Sequence, residues 1–71
     1  MRVDIRDCLE AIIREKGYKQ VAVADKAGMT PMQLSKVLDK SRKLDANELF
    51  AICDAIEMTP MEVKNYLKEP A

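Results

Sequence analysis

The side chains of this 71-residue chain best suited to act on another molecule gather between Thr30 and Lys43. Gln33 carries a hydrogen-bond donor and an acceptor, Lys36 a charged donor, and Met32 a soft apolar tip. Lys36, Lys40, Arg42 and Lys43 face a single acid, Asp39, so residues 36–43 sum to +3. Such a set binds anions and hydrogen-bonding edges; it has no means of breaking bonds. The chain has no His, no glycine-rich phosphate loop, and no Ser or Cys beside an evident base, so it is not read as an enzyme. Most of the twelve carboxylates fall at helix caps and exposed helical positions, where solvation and helix dipoles explain them. Cys8 and Cys53 are too few and too isolated for a metal site, and each falls on an apolar stripe. They read as small buried hydrophobes, and neither a metal nor another cofactor is expected.

The net charge is zero, which by itself points away from a polyanionic partner, but distribution matters more than the total. Residues 1–18 balance four bases against four acids, residues 19–35 sum to +1, and residues 44–71 hold two bases against six acids. The chain is neutral at its start, basic in the middle and acidic at its end. An apolar content of 48% fits a single globular domain over residues 1–71. The length is near the lower limit for a self-sufficient core. With three aromatics, base stacking is not a plausible grip on a single strand. No apolar run approaches the ~20 residues needed to cross a bilayer, and the opening residues MRVDIRDCLE do not read as a signal peptide. A cytoplasmic location, without membrane contact, is the expectation.

The elements that must hold Gln33 and Lys36 are written between Gln20 and Leu38. Thr30 is a good helix cap and Pro31 suits a first helical position, so a helix starts there and runs to about Asp39. Gln33 can reach back to the cap, completing a capping box, and Met29 with Leu34 has the spacing of a hydrophobic staple. Gly28 can end the preceding helix, 20–27, in the left-handed conformation. Ala24 and Ala27 leave room for the two helices to cross. On the second helix Leu34, Val37 and Leu38 share one side. Met32, Lys36 and Asp39 point away, and Gln33, Ser35 and Lys40 lie on the flanks.

Gln20, Ala24, Gly28 and the pair Leu34-Ser35 have the types and spacing found in the XRE-type helix-turn-helix proteins, the phage repressor and Cro family, and this stretch resembles their DNA-reading unit. Residues 37–56 resemble the connection and fourth helix of the same family. The likeness covers roughly nine-tenths of the chain. It departs in two places: Lys19 stands where a cap hydroxyl is usual, and the loop at Lys40 and Ser41 lacks its usual glycine. The resemblance implies an all-α, five-helix, lambda-repressor-like fold. It also implies a sequence-specific regulator of transcription whose second motif helix enters the major groove of double-stranded DNA.

Carried over by position, Thr30, Pro31, Met32, Gln33 and Lys36 are the base-reading candidates. Gln33 suits a bidentate contact to adenine, Lys36 a guanine acceptor, and Met32 a thymine methyl. Lys19, Gln20, Lys40, Ser41, Arg42 and Lys43 are the phosphate candidates. The resemblance further implies pairing as a two-fold homodimer over half-sites ~34 Å apart. The alternative function is an antitoxin-like or accessory module on the same fold, using its acidic C-terminal part on a protein partner.

The remaining helices have the same kind of signature. Ile5, Cys8, Leu9, Ile12 and Ile13 form one stripe on a helix over 4–16, capped by Asp4 and ended by Gly17. Asp45 and Glu48 make a capping box for a helix over 46–56 with Leu49, Ile52, Cys53 and Ile56 inward. Thr59-Pro60 opens a fifth helix over 60–67. MTPMQL at 29–34 recurs as MTPMEV at 58–63. Because the second copy has Leu49, Cys53 and Glu57 where the first has Gln20, Ala24 and Gly28, only the first is read as the DNA-contacting unit. Met58, Met61, Tyr66 and Leu67 are candidates for a small dimer patch, with packing on the first and fourth helices the preferred reading.

Overall fold

In the computed structural model, which describes residues 4–67, Asp4 accepts the Arg6 N–H at 2.9 Å and opens α1, Ile5–Glu15. The other helices are α2, Gln20–Ala27; α3, Pro31–Leu38; α4, Ala46–Ala55; and α5, Pro60–Lys64. Among the described residues there is no strand. The starts agree with the local capping chemistry. Thr30, Asp45 and Thr59 each make a full capping box, with Gln33, Glu48 and Glu62 reaching back. Lys19 stands at the cap of α2 without a side-chain bond, as a residue lacking an acceptor must.

The ends differ slightly from the expected ranges. Lys16, Asp39 and Ile56 are C-caps and not the last helical residues. Helix α5 stops at Lys64, not at Leu67: Asn65 caps it, and the Tyr66 N–H turns back to the Val63 carbonyl at 3.1 Å. Tyr66 then donates its hydroxyl to Glu15 at 2.8 Å, which ties the segment after α5 to α1.

Four helices end in one device, a left-handed residue flanked by two reversed backbone bonds. The Tyr18 N–H reaches Ile13, Met29 reaches Ala24, Ser41 reaches Lys36, and Met58 reaches Cys53, all at 2.9–3.0 Å. The left-handed positions are Gly17, Gly28, Lys40 and Glu57. The exit loop of α3 therefore keeps a glycine-type turn with a lysine in it.

The helices enclose one core of Cys8, Leu9, Ile12, Ile13, Val23, Ala24, Leu34, Leu38, Ile52, Cys53, Ile56 and Val63. Val37 is also fully buried. This matches the stripes read from α1, α3 and α4, except that Ile5 and Leu49 are only partly covered. Both cysteines are buried and free. Burial pushes the Cys53 thiol up, which suits a packed apolar group and not a reactive thiolate. The expected C-terminal patch divides. Met58 and Tyr66 pack on the core, whereas Met61 and Leu67 are exposed.

Candidate nucleic-acid interface

Helix α3 is anchored by three residues and exposed nearly everywhere else. Leu34, Val37 and Leu38 are buried, which fixes its rotation about its own axis. Thr30, Pro31, Met32, Gln33, Ser35 and Lys36 then lie on the outer surface. Met32 is the most exposed large apolar residue of the described chain, at 67%.

The first turn of α3 has little freedom. The Thr30 N–H donates to Gln33 Oε1 at 3.0 Å, and the Gln33 N–H donates to Thr30 Oγ1 at 3.1 Å. Pro31 has no N–H. The side chains of Thr30 and Gln33 are thus held at the start of the helix by the same bonds that begin it. The Gln33 amide nitrogen has no hydrogen-bond partner among the described residues.

The six phosphate candidates fall into two groups. Lys19, Gln20 and Lys43 are exposed, and the two lysines make no ion pair among the described residues. Lys40 and Arg42, by contrast, are already engaged. Lys40 Nζ lies 3.2 Å from Asp7 on α1, and Arg42 Nη1 lies 2.7 Å from Glu48 on α4. Ser41 is committed to shaping the loop: its N–H donates to Asp39 at 2.8 Å and its hydroxyl to the Lys36 carbonyl at 3.4 Å. The Ser41 hydroxyl and N–H beside it hold the Asp39 carboxyl below its ordinary range.

Arg6 is the residue that sequence reasoning passed over. Its guanidinium bonds Asp4 at 2.7 Å and donates to the Arg42 carbonyl at 3.1 Å, fastening the α3–α4 loop to the start of α1. The same pairing holds the Asp4 carboxyl down at about 2. Nothing local in the sequence signals this, since Arg6 and Arg42 are 36 positions apart. Among the described residues no cluster of His, Cys, Asp and Glu could hold a metal ion, and no helix is long and apolar enough to cross a membrane.

Two short helices, α2 and α3, joined through left-handed Gly28 and packed on each other, define a helix-turn-helix within a lambda-repressor-like five-helix fold. A helix-turn-helix family model matches residues 9–63, and the chain belongs to that XRE-type family. No curated protein matches significantly. Solved structures do. The DNA-binding domain of the P22 C2 repressor is 15% identical with a TM-score of 0.83, the match covering 99% of this chain and 96% of that one. The restriction-modification controller protein C.AhdI from Aeromonas hydrophila is 19% identical, with a TM-score of 0.77 over 83% and 89% of the two chains. The P22 c2 repressor in complex with a synthetic operator is 15% identical, with a TM-score of 0.71 over 83% and 89%. At these identities the likeness is one of fold.

Proposed function

We propose that this protein is a sequence-specific, double-stranded-DNA-binding regulator of transcription, of the phage-repressor type, that inserts α3 into the major groove and performs no catalysis. The observation that carries this reading is the outer face of α3. Met32, Gln33 and Lys36 are all exposed on it, and Lys19 before α2 and Lys43 after α3 are exposed cations. The P22 c2 repressor, a neighbour in fold, is known in complex with an operator, which adds support. In this reading Thr30, Pro31, Met32, Gln33 and Lys36 face base edges, while Lys19, Gln20 and Lys43 contact phosphates directly. Lys40, Ser41 and Arg42 shape the loop and reach phosphate only by trading their internal partners. One copy reads only a few base pairs, so two copies related by a two-fold axis over adjacent half-sites complete the operator.

The reading is tested by fluorescence anisotropy of a labelled random duplex across salt concentrations, for wild type and for Lys36→Glu/Lys43→Glu. These two are chosen because neither holds an ion pair among the described residues, so the fold should be undisturbed. Wild-type affinity should fall steeply with salt, and the double variant should lose binding altogether. No binding by wild type at low salt would favour the alternative, an interaction module. The zero net charge, the loop without its usual glycine and the internal engagement of Lys40 and Arg42 by acids stand on that side.

A further inference from the structure

Three helices of this chain open on the same reciprocal cap, yet they do not use the same residue to close it. The third helical position is Glu48 in α4, Glu62 in α5 and Gln33 in α3. In each, a side-chain oxygen accepts the N–H of the cap residue, at 3.4, 2.8 and 3.0 Å respectively. For capping alone a carboxylate is the better choice, because its charge also meets the positive end of the helix dipole. The Glu62 carboxyl is held below its ordinary range by the Thr59 N–H and hydroxyl. Only α3 has the neutral amide.

An amide has an NH2 group where a carboxylate has a second acceptor. In Gln33 the oxygen is turned back to the Thr30 N–H, and a backbone N–H can only be met by that oxygen. The side chain is exposed, and Nε2 has no partner among the described residues. The cap thus holds the amide oxygen and leaves the donor end free at an exposed position, on the flank of the side that carries Met32 and Lys36.

We propose that Gln33 is a specificity-determining residue that reads guanine, its capped amide presenting Nε2 as a donor to O6 and N7 while Oε1 stays on Thr30. This rests on α3 being the major-groove helix. Guanine fits because its major-groove edge offers two adjacent acceptors. Adenine offers one acceptor and one donor, and its bidentate partner needs the amide oxygen that the cap engages. A Glu here would improve the cap but would set a negative charge against guanine acceptors and neighbouring phosphates.

The test is selection from a randomised duplex library by the full chain as wild type, Gln33→Glu and Glu62→Gln, with melting temperatures for each. Wild type should enrich guanine at one position of each half-site. Gln33→Glu should melt no lower than wild type yet lose that preference by roughly tenfold to a hundredfold. Glu62→Gln should leave the selected sequence unchanged. Guanine enrichment surviving in Gln33→Glu, or adenine selected through residue 33 by wild type, overturns the inference while leaving DNA binding intact. A wild type that selects no sequence and binds no duplex overturns it together with the reading on which it rests.

Discussion

Single positions show where side-chain type does and does not announce the backbone. Gly17 and Gly28 mark left-handed helix ends, and the sequence carries that message because glycine is the usual residue there. Lys40 and Glu57 adopt the same conformation, with φ of 67° and 58°, and nothing in their types says so. Their conformation is set by the helix before and the capped helix or loop after. An L-residue in this region costs about 1–2 kcal/mol, part of which a glycine gives back through a freer unfolded chain. Glu57→Gly should therefore stabilise the fold by about 0.5–1 kcal/mol, read as a rise of a few degrees in melting temperature. The converse holds at Gly28, where an added Cβ would meet no atom within 4 Å. Gly28→Ala should lose about 1 kcal/mol through backbone strain alone, without a steric clash. Equal stability of both variants with wild type in urea unfolding would mean these turns relax more freely than their bonds suggest.

Helix starts were legible because capping is local: Thr30 and Gln33, Asp45 and Glu48, Thr59 and Glu62 each sit three residues apart and bond as their spacing requires. The buried stripes of α1, α3 and α4 were legible for the same reason, since periodicity is a property of one helix. What joins the helices was not. The bond from Arg6 to the Arg42 carbonyl and the Lys40–Asp7 pair depend on how α1 meets the α3 exit loop. The bond from the Tyr66 hydroxyl to Glu15 likewise joins positions 51 apart. Two variants separate structure from function in the repeated motif. Thr30→Ala and Thr59→Ala should each lose about 1 kcal/mol of stability with the cap. Only Thr30→Ala should also weaken DNA binding, because its cap orients Gln33; a matching loss from Thr59→Ala would assign α5 to the interface. The α1 cap carries a pH signature of its own. Asp4 is held down from 3.8 to about 2, chiefly by the Arg6 side chain and its N–H. A depressed acid contributes stability above its ordinary pKa and loses it as pH falls through the folded value. Wild type should thus weaken between about pH 4 and about pH 2, and Asp4→Asn should weaken less steeply across that window in urea titrations. Part of the slope should persist in the variant, since the Asp39 and Glu62 carboxyls are also lowered.

Across the whole molecule the zero net charge conceals an arrangement in which acids of α1 and α4 hold cations beside the candidate interface. Lys40 and Arg42, which the sequence offers as phosphate contacts, lie against Asp7 and Glu48. A duplex approaching α3 must compete with these carboxylates before it gains those two charges. The Lys40–Asp7 pair is exposed, and a pair of this kind contributes less than ~1 kcal/mol to folding, so releasing it changes the fold little and the interface more. Asp7→Asn makes the separation directly. It removes the only carboxylate paired with Lys40 among the described residues and leaves the Asp4–Arg6–Arg42 fastening in place. In anisotropy titrations against a fixed duplex, the variant should bind more tightly than wild type at low salt. Its slope of log affinity against log salt should be steeper by up to about 0.9, the increment of one further phosphate neutralised. Melting temperature should stay within a few degrees of wild type. A tighter complex with an unchanged slope would mean that Asp7 acts only as a nearby repulsive charge. An unchanged affinity would confine Lys40 to the loop and leave Lys19, Lys36 and Lys43 as the cations of the interface.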